Sequence, residues 1–410
     1  EAAREASGEL MEIACTEEAP RAAYIFKTVA DPLVGKLSYF KVVSGKLSGE
    51  GGPVNSRTGE QERLGKLIYM TGKKQEDTAF ITAGDIGAVT KRSGAGTGDT
   101  LGDPKKIVSL GRVEFPEPCL SMAVKVKNKG DEGKVAQGMQ RLIEEDPSIG
   151  FEQNAETHQQ VISGLGEQHL DVIVSKLKSK FGVDIGRTKP RVAYRETIRK
   201  PVKVQGKHKK QSGGHGQYGD VWIEFSPYDG EGLLFEENVF GGSVPKNFFP
   251  AVEKGLQDCV KHGILAGYPM VGLKAVLVDG SYHPVDSSEM AFKTAASLAY
   301  KAAMPQASPA LLEPIGNLKV YVPDSNTGDI ISELNKRRGR VLGMNPDEDG
   351  MQVIEGEVPM SEMGDFATVL RSTTQGRGSF TLKFERYELL PSQLEAAVIE
   401  EAKKMNEEEA

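Results

Sequence analysis

The sequence predicts a multidomain α+β protein: a small β-barrel, two modules of strand order β-α-β-β-α-β, and a distinct βα domain between those two modules. Three observations lead there. At 410 residues the chain is too long for a single hydrophobic core. Short β-type runs separated by Gly turns fill positions 22–112, with almost no helical periodicity. One sequence of strand, helix, hairpin, helix and strand occurs twice further on, an internal repeat at the level of fold.

Hydrophobic residues make up 38% of the chain and charged residues 27%, the proportions of an ordinary water-soluble protein. No apolar run is long enough to span a membrane, and the acidic start lacks the basic-then-apolar order of a signal peptide. Cys15, Cys119 and Cys259 lie far apart and form no C-x-x-C pair, which argues against a disulfide framework or a zinc site and for a reducing cytoplasm. Net charge is −7, so any nucleic-acid surface must be local. The cations are indeed clustered, in Arg199, Lys200, Lys203, Lys207, Lys209 and Lys210, and again in Lys336, Arg337, Arg338 and Arg340.

Taken in order, residues 1–21 are expected to be a linker or the end of a domain lying upstream, with 1–18 helical. Residues 22–112 carry the barrel strands, at 23–29, 37–43, 66–70 and 86–90. Gly94 to Gly98 lacks the Gly-Lys-Ser/Thr ending of a phosphate loop and reads as a barrel turn. Residues 113–190 form the first β-α-β-β-α-β module, the ferredoxin-like order. Its helices are 131–146, with Val135, Met139, Leu142 and Ile143 on one face, and 166–181, with Leu170, Val174 and Leu177 aligned. Residues 191–309 are the βα domain, with helices at 248–262 and 288–303; Ser287 or Ser288 caps the second. Residues 310–392 repeat the ferredoxin-like order, with a helix over 327–343 holding the second basic cluster and another over 361–374. Residues 393–410 are a terminal helix, packed back on a neighbouring domain, and an acidic tail. Linkers near Arg112, Pro190 and Pro309 make the angles between domains the variable.

The segment Lys207 to Gly219 stands out, because Gly213, Gly214, Gly216 and Gly219 crowd it and β-type runs flank it. It is read as a loop at the tip between two strands. Its lysines, histidines, Gln217 and Tyr218 offer cations, hydrogen-bonding groups and a stacking ring, the tools for gripping RNA; a solvated hairpin without a partner is the competing reading. No nucleophile elbow, carboxylate pair or metal-ligand spacing is present, so no catalytic, cofactor-binding or metal-ligating residue is predicted. Asn128 to Asp131 matches the guanine-reading Asn-Lys-x-Asp pattern but sits between a strand and a helix of a ferredoxin-like module, and is read as a turn.

Several stretches together resemble bacterial elongation factor G from just after its GTPase domain to its C-terminus. They are Asp31 to Leu37, Phe115 to Pro118, Glu145 to Pro147, Gly164 to Leu170, Val192 to Thr197, Gln211 to Gly219, His283 to Glu289, Leu312 to Pro314, Gly339–Arg340, Ser361 to Met363 and Leu370–Arg371. The resemblance implies a translation-protein-type barrel, and a fourth domain that projects like a finger into the decoding site and moves with the tRNA–mRNA duplex. It assigns RNA contact at the fingertip to Ser212, Gly213, Gly214, His215, Gly216, Gln217, Tyr218 and His283. Possible contacts to rRNA are Lys207, Lys209 and Lys210, and Arg337, Arg338 and Arg340, for which a solvated helix face is the alternative. It further implies GTP and Mg in a GTPase domain preceding Glu1, the ribosome as partner through the rRNA of both subunits, and a cytoplasmic monomer without membrane attachment. Departures from the family pattern imply a divergent paralogue: His215 in place of arginine, Pro284 in place of an acidic residue, Gln168 in place of leucine, and the pair His208–Lys209. A ribosome-recycling or tetracycline-protection role, and a GTPase-free ribosome-binding factor, are the alternatives to translocation.

Overall fold

The computed structural model describes the chain except residues 1, 6–9, 32–34, 50, 73, 91–93, 129, 212–215, 348–349 and 410. Its contacts divide it into two units, Glu1–Arg191 with Gly364–Thr381, and Val192–Met363 with Leu382–Ala410.

In the first unit, strands Val54–Asn55, Thr100–Gly102, Ala22–Asp31, Gly35–Ser44, Ile86–Thr90, Leu67–Thr71 and Lys74–Thr78 lie side by side in that order as a seven-stranded sheet. The described pairings are antiparallel and run as an open path. Ile25, Phe40, Val42, Leu47, Ile81 and Leu101 are fully buried in its core. The N-terminal segment corrects the expectation of a helix. Ala2–Glu5 is a strand between Val108–Ser109 and Leu10–Glu12. Met11 and Ile13 pack against Ala22, Val43, Val108 and Leu110. Pairing across the sheet thus overrides a weak local helix propensity.

The first ferredoxin-like module follows: β1 (Leu120–Val126), α1 (Glu132–Glu145), β2 (Gly150–Asn154), β3 (Gln159–Gly164), α2 (Glu167–Phe181) and β4 (Ile185–Thr188), in sheet order β2-β3-β1-β4. Helix α1 stops where Asp146 turns extended ahead of Pro147, whose ring disfavours a helical predecessor. Helix α2 ends on Gly182 in the left-handed region, φ 68°. Buried faces are Val135, Met139 and Leu142 on α1 and Leu170, Ile173 and Leu177 on α2, so Ile173 rather than Val174 faces the core.

One carboxylate joins this module to the seven-stranded sheet. Glu145 accepts from Lys176 Nζ at 2.6 Å, from Lys180 Nζ at 2.9 Å and from the Ala30 N–H at 3.1 Å. Burial works against its charge, but those three hydrogen bonds outweigh it and hold the carboxyl down at about 2.

The second unit begins with β5 (Arg195–Ile198) and the βα domain. That domain comprises β6 (Val202–Lys210), β7 (Gln217–Pro227), β8 (Leu233–Glu237), α3 (Phe249–Cys259), β9 (Leu273–Ser281) and α4 (Glu289–Ala303). The sheet order is β6-β7-β9-β8, antiparallel except for β8 beside β9. Val221, Ile223, Phe225, Leu273, Ala275 and Leu277 face a core shared with α3 and α4. Helix α4 buries Ala291, Ala295, Ala296, Ala299 and Ala303. Short side chains bring its backbone against glycines on three neighbours. A Cβ at Gly219 of β7 would stand 2.5 Å from Ala291 O, one at Gly255 of α3 would stand 2.7 Å from Lys293 O, and one at Gly206 of β6 would strike Ala295 O and Ala299 N.

The remaining elements are β10 (Pro309–Pro323), α5 (Thr327–Lys336), β11 (Arg340–Pro346), β12 (Met351–Pro359), α6 (Phe366–Thr373), β13 (Ser379–Leu389) and α7 (Ser392–Glu409). Strand β5 joins this sheet, ordered β5-β10-β12-β11, and β13 also pairs with β10. The helix expected over 327–343 is shorter. Arg338 turns left-handed, φ 59°, and the Gly339 N–H closes on Leu334 O at 2.8 Å, which sends Arg340 into β11. Helix α7 packs Leu394, Val398 and Ala402 against Tyr194, Ala266, Leu311 and Leu390.

Two stability outcomes follow from these contacts. Because the folded Glu145 carboxyl lies below its unfolded value, its contribution is full above about pH 4.5 and is lost as pH falls toward 2. The stability gap between the parent protein and Glu145→Gln should therefore narrow by about 2 kcal/mol from pH 6 to pH 3, read by urea unfolding. Gly219→Ala should destabilise the second unit by about 1–3 kcal/mol, because the new methyl has only the α4 backbone to push against; thermal unfolding reads the loss.

Candidate nucleic-acid interface

Alternation along β6 puts Val204 and Gly206 toward the helices and exposes Lys203, Gln205, Lys207 and Lys209. Their cross-strand partners on β7 are Glu224, Trp222, Asp220 and Tyr218. The hairpin is longer than the sequence predicts. Lys207 to Lys210 continue β6, and Gln217 to Gly219 continue β7, with Lys210 opposite Gln217. Gly219 tolerates strand geometry because its missing side chain admits α4, a gain that composition alone does not reveal. Ser212, Gly213, Gly214 and His215 lie outside the described residues.

Residues 282–288, between β9 and α4, clasp this hairpin end. Gly216 N–H donates to Asp286 Oδ1 and Tyr218 N–H to Asp286 O, both at 2.9 Å. Ser287 Oγ donates to Tyr218 O at 2.9 Å and accepts from the His283 N–H at 2.9 Å. Ser288 alone caps α4, accepting from the Ala291 N–H at 3.2 Å. The two adjacent serines, either of which the sequence offers as the cap, thus divide into a helix cap and a bridge between loops.

These bonds set the chemistry of His283. Its Nδ1 accepts from the N–H groups of Asp286 at 3.1 Å and Val285 at 3.3 Å. The Asp286 carboxylate stands 3.4 Å from the same nitrogen, beyond both amides, so the amides set the tautomer. Nδ1 therefore carries the lone pair, and Nε2–H is left as a donor on a ring that is half exposed. Tyr218 lies beside it, with ring centroids 6.4 Å apart. The Tyr218 hydroxyl meets Ser281 Oγ at 2.7 Å, and Ser281 Oγ donates to Asp220 Oδ2 at 2.7 Å. Asp220 is buried, and its other oxygen accepts from Gln205 Nε2 at 2.8 Å. Lys207 Nζ lies 3.9 Å from Asp220 and 5.7 Å from the Tyr218 ring. Gln217 is exposed and accepts from His208 Nε2 at 2.9 Å, which leaves its amide donors outward. The tip presents neutral donors, with Lys209 and Lys210 exposed behind it. Donors of this kind are chemically able to bond ribose hydroxyls and phosphates, which carry no base identity.

Models of four elongation factor G domains match this chain in succession. Domain 2 matches residues 20–103, domain III residues 115–189, domain IV residues 190–308 and the elongation factor G C-terminus residues 310–398. The chain belongs to the elongation factor G family. A crystal structure of a Thermus thermophilus protein is similar over 94% of this chain, with 38% identity and a TM-score of 0.78. The chain spans 58% of the length of that protein. No helix among the described residues is long and apolar enough to cross a membrane.

The arginines of the second basic cluster are engaged with carboxylates and backbone of the same unit. Arg337 is buried, bonded to Glu333 Oε1 at 2.7 Å and to Glu362 O at 2.6 Å. Arg338 forms a two-pronged bond to the buried Glu313, both prongs 2.7 Å. Arg340 is more exposed but pairs with Glu388 at 2.7 Å and Glu357 at 3.1 Å. Neither predicted reading holds for the buried Arg337; Arg338, partly exposed, is held by Glu313 and Glu362 at the helix end. Of the departures from the family pattern, Pro284 is exposed in the clasping loop and Gln168 is exposed on α2. Asp131, in the guanine-like pattern, begins α1 and binds Lys134 Nζ at 2.8 Å.

Sequence reading missed Asp220, Ser281, Asp286 and the bridging role of Ser287. The only signal for them was their place next to loops already singled out. Removing that bridge should be visible directly: Ser287→Ala should cost about 1–2 kcal/mol and raise hydrogen exchange at the His283 amide. Unchanged exchange there would mean that the two loops hold together without it.

Proposed function

We propose that this chain is the ribosome-binding part of a GTPase that drives movement of tRNA and mRNA through the ribosome, with the βα domain as its finger. GTP and Mg belong, in this reading, to a further domain of the complete protein. The observation that carries it is the clasp of two loops at one end of a stiff domain, which presents His283 Nε2–H, the Gln217 amide and the Tyr218 ring together. A device that holds every codon–anticodon pair must read shape, and neutral donors beside exposed lysines do so. Ser212, Gly213, Gly214, His215 and Gly216 belong to the tip in this reading, the three glycines letting backbone approach the duplex closely. Lys207, Lys209 and Lys210 would neutralise phosphates and make binding salt-dependent. The roles of Arg340 and the partly exposed Arg338 at the large subunit are a lesser part of the proposal, and the buried Arg337 has none.

In the complete factor, His283→Ala or Gln217→Ala should slow tRNA movement about tenfold or more while ribosome-stimulated GTP hydrolysis stays within about twofold. Stopped-flow translocation and phosphate-release assays separate the two. Equal loss of both activities would contradict a tip that acts on tRNA movement alone.

A further inference from the structure

Glu196 is fully buried on β5, and its carboxylate lies on four consecutive backbone N–H groups from the segment between α3 and β9. Its Oε1 accepts from Ala266 at 2.9 Å, Gly267 at 3.0 Å and Tyr268 at 3.2 Å, and its Oε2 from Leu265 at 2.9 Å. The backbone of Glu196 is joined to the same segment. Its N–H donates to Pro269 O, and its carbonyl accepts from the Val271 N–H, both at 2.9 Å. A Cβ on Gly263 would strike the carboxyl, so the segment closes around it. Among the described contacts, the charge is met by backbone dipoles and by no lysine or arginine. Such an arrangement stabilises a buried anion while fixing its orientation.

Both sides of this bond fall within the domain IV match, residues 190–308, but the strand that carries Glu196 joins the C-terminal sheet. Glu196 pairs with Leu311 of β10, in the C-terminal sheet, while Leu265 to Tyr268 belong to the finger. Helix α7 covers the junction, packing Val398 and Ala402 with Tyr194, Ala266 and Leu311. The Tyr194 and Tyr268 rings lie 5.4 Å apart across it. A lysine on either side would leave a swivelling joint. Four backbone donors fix angle as well as distance.

We propose that Glu196 is a positioning residue that makes the finger and the C-terminal sheet one rigid arm, so that displacement of either is delivered to the tip at His283. This rests on the finger reading above. The test uses the complete factor with dyes at the exposed Lys254 of α3 and Lys319 of β10, together with hydrogen exchange, tRNA movement and GTP hydrolysis. Glu196→Gln sets an NH2 group against backbone donors. It should cut protection of the amides at 265–268 about tenfold or more and broaden the dye-distance distribution. It should also slow tRNA movement about tenfold, with GTP hydrolysis changed less than about twofold. Lost protection with an unaltered distance distribution and normal tRNA movement would overturn the proposal, and so would intact protection. Where Glu196→Gln does not fold, Glu196→Asp keeps the charge but withdraws it from the amides, and it answers the same question. His283→Ala run in parallel keeps the two readings apart. If His283→Ala slows tRNA movement and Glu196→Gln does not, only the rigid arm fails. If His283→Ala has no effect, the finger reading fails, while exchange and dye distances still decide the arm.

Discussion

Helix α4 touches its neighbours backbone to backbone, and the geometry of the second unit depends on that contact. Gly206, Gly219 and Gly255 surround a helix whose buried face is mostly alanine, with Phe292 and Tyr300. Glycine within a strand costs about 0.5–1 kcal/mol relative to alanine. Here the cost is offset by close packing on both faces of the helix. The result is a hairpin whose distance and tilt relative to α4 are fixed by the hard limits of main-chain atoms, not by adaptable side chains. The N-terminus of α4 then delivers Ser287 and Ser288 directly to Tyr218 and to its own first turn. The placement of Tyr218 and its clasp begins with the absence of side chains some way behind it.

Each unit is held across its internal module boundary by a carboxylate. Glu145 takes two lysines and one amide, and it responds to acid. Glu196 takes four amides. A lysine tether can lengthen or pivot with little change in energy, whereas amides in successive residues cannot. Of the three linkers read from the sequence, the one near Pro190 falls where Arg191 and Val192 separate the two units. Those near Arg112 and Pro309 fall inside units. The backbone near Pro309 is drawn in further by the Arg199 and Lys200 N–H groups, which both donate to Ala307 O at 3.0 Å.

The repeated order of strands and helices was legible because apolar periodicity and turn residues are local. So were the stop of α1 before Pro147 and a serine cap on α4, though not which of the two serines supplies it. What was not legible depended on partners distant in sequence. The N-terminal strands exist because Val108–Ser109 offers an edge. Helix α5 ends early because Arg338 leaves the helix to reach Glu313, twenty-five residues back. At the candidate site, His283 and Gln217 could be picked out from their loops. Asp286 and Asp220, which orient them, could not, because an aspartate's second partner lies about sixty or seventy residues away in each case.

Strand β6 is the outer edge of its sheet, nine residues long and, among the described residues, bonded to a neighbouring strand on one side only. An edge of that length is a template on which another chain's strand could add itself. Lys203, Lys207, Lys209 and Lys210 line it, so an approaching strand would have to strip water from several ammonium groups before its first hydrogen bond formed. A phosphate backbone meets no such obstacle, because it brings the opposite charge. The same lysines therefore separate two kinds of visitor, repelling self-association along the edge while leaving it open to a polyanion.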